Sequence, residues 1–142
     1  MSIINNKKIN PSYIIIGLAI AFVIGQISYG FIPTKAIFTN SKIQFSGMYG
    51  FELTISEISD VKIVDNIPVI RMRTNGFSFG SVKKGFFNLD QFGSARLMIH
   101  SDSSPFLIIS KKNGEITIIN FNNKTETENL YKKVKALKST VA

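Results

Sequence analysis

Hydrophobic residues follow two regimes along this chain. From Tyr13 to Ile32 there are twenty residues without a charge. At about 1.5 Å of rise per residue, a helix of that length spans roughly 30 Å, the thickness of a bilayer's hydrocarbon core. After Pro33 the apolar residues come in short alternating pulses separated by Gly, Asn, Asp, Ser and Pro. The first regime predicts a transmembrane helix over residues 13–32, and the second a mainly β domain over residues 43–142. Residues 1–12 then form a short basic tail, and residues 33–42 a linker.

The helix ends are marked in the sequence. Asn10 can cap the first turn, Pro11 suits a position that needs no N–H, and Pro33 cannot continue the helix. Tyr13 and Tyr29 sit where interfacial aromatics belong, and Gln26 and Ser28 lie in the last third, where nearness to headgroups lowers their cost. Gly17, Ala21 and Gly25 recur every four residues and form a small-residue groove where a second helix could approach, which makes a homo-oligomer one expectation. Lys7 and Lys8 precede the helix and Lys35 and Lys42 follow it, so the charge vote is nearly even. The lysine pair and short tail tip the N-terminus inwards and the domain to the extracytoplasmic side of the cell membrane. A cleaved signal peptide ending near Ser28, Tyr29 and Gly30, followed by a secreted β domain, is the competing expectation. Its apolar run would be longer than usual.

In the second regime Phe51, Leu53 and Ile55 alternate with polar residues, as do Val61 and Ile63, Ile70 and Met72, Phe77 and Phe79, and Phe87 and Leu89, and Ala95, Leu97 and Ile99 continue the two-residue period. Phe106–Ile109 and Ile116–Ile119 are denser and read as central strands. Phe77, Phe79 and Phe87 are expected in the core. Asn113-Gly114 predicts a two-residue hairpin turn. The chain then changes period: Thr125 and Glu128 form a capping box, and Leu130, Val134 and Leu137, with Tyr131 beside them, have helical spacing over about residues 125–138. Lys132, Lys133, Lys135 and Lys138 occupy the other face, where they suit the negative end of the helix dipole.

Seven or eight short strands and one closing helix form the plan of a pleckstrin-homology-like (PH-like) domain, a bent antiparallel sandwich or barrel with a C-terminal helix. The residues Met48-Tyr49-Gly50, Ile67-Pro68, Arg71 to Gly76, Gly85-Phe86-Phe87 and Asn113-Gly114 resemble those of bacterial PH-like domains found in small membrane-anchored proteins. The resemblance covers about residues 43–138 and implies a binding or scaffolding module.

Composition narrows the chemistry. At 142 residues one domain is expected. The absence of Cys excludes disulfides, thiolate metal sites and thiol nucleophiles, and a single His argues against a zinc centre. His100, Ser101 and Asp102 are sequence neighbours, so an extended backbone points their side chains apart and they do not form a triad. His100 is expected to mark a strand end. Glu57, Asp60 and Asp65 read as solvated turn residues. Gly80 to Gly85 has the spacing of a phosphate loop, but Phe86 and Phe87 stand where Lys and Ser or Thr are required. Asn123-Lys124-Thr125 fits a glycosylation pattern and is read as a helix cap. No catalytic residue, metal or cofactor is expected, and the protein is not expected to be an enzyme.

The net charge is +8. Setting aside Lys7, Lys8, Lys35 and Lys42 leaves 13 basic residues against 9 acidic ones, a scattered +4 without the stripe that nucleic acid requires. The expected function is therefore a single-pass, membrane-anchored module that binds a protein partner or a second copy of itself. The alternative is recognition of anionic lipid headgroups by Arg71, Arg73, Lys83, Lys84 and Arg96. Against that alternative, the loop Ser56–Asp60 carries two acids and no base.

Overall fold

A computed structural model describes residues 8–141. Helix α1 covers Pro11–Gly30, with the Asn10 side chain accepting a hydrogen bond from the Ser12 N–H at 3.1 Å and Pro11 opening the first turn. Apart from Gly30 and the half-buried Ile27, its residues are exposed, so its apolar surface has no protein cover along most of its length. The helix is long and apolar enough to cross a membrane.

The rest is mainly β, in two sheets closed by a C-terminal helix. Strands β1 (Ala36–Phe38), β2 (Lys42–Phe45) and β3 (Phe51–Thr54) form an antiparallel meander. A single 3-10 turn at Ile55–Glu57 leads into a six-stranded sheet made of β4 (Ile58–Val64), β5 (Ile70–Phe79), β6 (Val82–Leu89), β7 (Gly93–Ile99), β8 (Phe106–Lys111) and β9 (Ile116–Ile119). The strand order is β4-β8-β9-β7-β6-β5. Helix α2 spans Lys124–Val141.

Two differences from the expected strands have physical causes. Residues 33–42, assigned to a linker, are built into the fold: Thr34 is buried and β1 follows at once. Three residues are too few to show a period. The β7–β9 pair is parallel, with Leu97 opposite Ile118, although the PH-like plan implies antiparallel pairing throughout. Alternation reports which face a residue takes and is blind to strand direction.

Strands β4 and β5 are consecutive in the chain but occupy opposite edges of the sheet. Flat, those edges would lie about 24 Å apart at 4.8 Å per strand. The five-residue connection from Asp65 to Val69 reaches only about 20 Å when fully stretched. The sheet must therefore roll, and Val64, Ile67 and Ile70 pack into one cluster with Phe87, Leu97, Ile108 and Ile118 on its concave face. The other face carries Met98, Leu107, Ile109 and Ile119, which pack against Ile43, Phe45 and Leu53 of the small sheet and Leu130 and Val134 of α2. Leu130 and Val134 thus do what their helical spacing predicts.

The α2 cap is Asn123, whose side chain accepts from the Thr125 N–H at 2.9 Å, so Thr125 is not the first residue of a capping box. Thr127 is instead fully buried, and its hydroxyl accepts from the Phe121 N–H at 3.0 Å. At the β8–β9 turn only Gly114 has a positive φ, 92°. Four residues, Lys112–Glu115, separate the strands instead of two, and the Asn113 side chain accepts from the Glu115 N–H at 3.0 Å.

Candidate functional site

The chemistry of this molecule concentrates where α1 meets the β domain. Phe77 and Phe79 share one face of β5 by their two-residue spacing. Instead of entering the core, as their spacing alone suggests, they meet the helix exit. The Phe31 ring stands edge-on to Phe77 at 5.8 Å and to Phe79 at 5.6 Å. Phe79 remains 55% exposed because β5 is an edge strand. Gly30 lies so close beneath the Phe77 ring that an added Cβ would come within 2.5 Å of it. Any side chain there would have to push the ring aside.

Behind these rings is a buried polar cluster. The Lys84 ammonium donates to the carbonyl oxygen of Ile32. The Thr34 N–H donates to Nε2 of His100 at 3.2 Å, with the Thr34 hydroxyl 3.3 Å from the same nitrogen. Nε2 is an acceptor in this arrangement, so the ring is neutral and its proton is on Nδ1. Burial, reinforced by the Lys84 charge, lowers the His100 pKa to about 4, and burial also lowers that of Lys84. His100 stacks on Phe121. Its backbone N–H donates to Oδ1 of Asn120 at 2.9 Å, and the Asn120 amide donates to the carbonyls of Ser101 and Ser103. His100 does follow the end of β7. Among the described residues no carboxylate joins it: Asp102 pairs with Lys83 at 3.4 Å instead.

The five cations proposed as one lipid patch do not converge. Lys84 is fully buried, because consecutive residues of a strand point to opposite faces and it takes the face opposite to Lys83. Arg71 pairs with Asp90. Arg96 lies between the Phe51 and Phe86 rings, 4.3 and 4.7 Å from their centroids, and donates to the Tyr49 carbonyl at 3.1 Å. Only Arg73 is exposed without an acidic partner within 4 Å among the described residues. Glu57 and Asp60 pair with Lys111 and Lys62, and no group of three or more His, Cys, Asp or Glu side chains suited to a metal occurs among the described residues. Gly17 and Gly25 have nothing within 4 Å of an added Cβ, so that helix face is open.

No family model matches this chain, and neither curated proteins nor solved structures give a match. Its function has to be read from its own geometry.

Besides the junction, one groove has the form of a binding site. It holds about 510 Å³ between the free edge of β1 and α2, with Phe38, Phe121 and Leu130 along it and Lys35, Glu126 and Lys133 at its rim. The Lys133 ammonium lies 3.9 Å above the Phe38 ring. Sequence reasoning missed Thr34, Asn120 and the β1 edge. An isolated Thr after Pro33 and an Asn after four β-forming residues carry no local signal, since their partners lie 66 and 20 positions away.

Proposed function

We propose that this protein is a membrane-anchored, PH-like binding module that takes an extended segment of a protein partner in the groove between β1 and α2. The observation that carries the proposal is the pairing of an unpartnered strand edge with an apolar groove beside a helix. An added strand would satisfy the β1 backbone, while alternate side chains enter the groove. The β5 edge of the large sheet is less suited, because register shifts at Ile70/Met72 and Arg73/Asn75 and the charges of Arg71 and Arg73 guard it against pairing.

The membrane part of the proposal is supported by the exposed apolar surface of α1, which has no stable place in water. The junction clamps the domain to the helix, so the anchor would set the groove's height and direction as well as its location.

A photo-crosslinking amino acid placed at Ile37 or Asn129 in the full chain, expressed in its native membrane, tests the groove. Adducts should form there, be absent from the same probe at Lys62, and disappear when Phe38→Glu is added. Identical adducts at all three positions would end the proposal.

A further inference from the structure

Helix α1 does not leave the domain into open space. Its last turns run beneath an overhang, where Gln26 and Ile27 face Met48, Arg73 and Ser78 across a cleft of about 410 Å³ that reaches back to Phe22. Phe22 lies eight residues before Gly30, so the cleft extends along about 12 Å of helix. A helix of twenty residues just fills the hydrocarbon core, and the headgroup region adds only about 5–7 Å on each side. The cleft must then lie at the level of the headgroups and the outermost acyl carbons. Gln26 and Ser28 in this stretch suit that depth.

The walls of the cleft are amphipathic. Phe22, Phe77 and Phe79 are apolar, and Arg73 is the one guanidinium among its residues. Unlike Arg71 and Lys83, Arg73 has no acidic partner among the described residues. An unpaired cation over an apolar wall, beside a surface already committed to lipid, has the chemistry that complements a phospholipid.

We infer that the cleft between α1 and the β5–β6 hairpin holds a phospholipid of the host bilayer, with its phosphate at Arg73 and its upper acyl chain against Phe22, Phe77 and Phe79. The domain thereby rests on the membrane surface instead of standing clear of it. This inference depends on the membrane-anchor part of the proposed function.

The chain has no Trp, so Ser78→Trp, Phe79→Trp and Val69→Trp each create a single reporter. Each full-length variant is reconstituted into phosphatidylcholine vesicles carrying lipids brominated near the glycerol end of their chains. Ser78→Trp and Phe79→Trp should lose emission, while Val69→Trp, just before the far end of β5, should not. With brominated phosphatidylglycerol, quenching of Ser78→Trp should be stronger than with brominated phosphatidylcholine. That preference should fall about fivefold in Arg73→Gln, the effect of one basic group near an anionic surface. Free phosphate carries no bromine and cannot produce this signal. Unquenched Trp at both positions in a chain that resists carbonate extraction would overturn the lipid site alone, showing water or protein in the cleft. A chain stripped from vesicles by carbonate would overturn the anchor as well.

Discussion

The Lys84 ammonium donates a hydrogen bond to the carbonyl oxygen of Ile32, 52 positions earlier in the chain. A cation buried in the β domain therefore holds a carbonyl just beyond the C-terminal end of α1, where the helix dipole is negative. Because burial withdraws this amine from water and favours its neutral form, it is both shielded and engaged. In competitive acylation of the folded chain, followed by peptide mass spectrometry, Lys84 should be the slowest lysine of the domain. Lys84→Met keeps the stem but leaves the Ile32 carbonyl without this donor, and should cost about 1–2 kcal/mol in urea unfolding monitored in detergent. Equal labelling of Lys83 and Lys84 would show that the ammonium is free.

Gly30 and Phe77 should behave as one unit. Gly30→Ala places a methyl group against a ring that is also held by Phe31, and should destabilise the domain by about 1–3 kcal/mol. Phe77→Ala should lower stability by itself, yet in the double variant the cost of Gly30→Ala should largely vanish. A double-mutant cycle reads this as a coupling energy. Additive effects would place the ring away from the helix end.

His100 gives the domain a defined pH dependence. Its folded pKa of about 4 lies below the ordinary value of 6.5, so between those pH values the unfolded chain binds the extra proton. Stability should therefore be fully present above about pH 6.5 and fall on acidification towards pH 4, by on the order of 2 kcal/mol. Protonation would also set an imidazolium beside the Lys84 cation and convert the Nε2 acceptor used by Thr34 into a donor. As the only histidine, its ring resonances can be followed without assignment. A midpoint near 6.5 in the folded chain would mean that the ring is solvated.

Much of the fold is legible in sequence where a pattern repeats within one element. Tyr13 to Ile32 shows a helix by length and its caps, displaced two residues from the observed Pro11–Gly30, and Leu130 and Val134 show theirs by spacing. Legibility fails where a residue's role depends on a distant partner. Phe77 and Phe79 have the two-residue period of core positions, but β5 lies at a sheet edge and the surface they meet is α1. Lys83 and Lys84 look like a cationic pair until the pleat sends one outward to Asp102 and the other inward to Ile32. The β1–α2 groove is hidden for a related reason: Phe38 and Leu130 are 92 positions apart, and only the closing of the small sheet under α2 brings them together.

Arg73 and Arg96, which read as equivalent basic residues in the sequence, should separate cleanly by substitution. Arg96 joins the two sheets, since Phe51 belongs to β3 and Phe86 to β6, and its planar guanidinium fills the gap between their rings. Lysine offers a charge but no plane to stack and a single point of donation. Arg96→Lys should therefore lower the unfolding midpoint, with a loss of about 1–2 kcal/mol, while leaving the lipid preference of the Ser78→Trp reporter unchanged. Arg73→Gln should do the reverse, because an exposed, unpaired side chain contributes little to folding but supplies the charge that meets the phosphate. Chemical denaturation and quenching measured on the same two variants give four numbers. Loss of lipid preference in Arg96→Lys at full stability would return Arg96 to the membrane surface and remove it from the joint between the sheets.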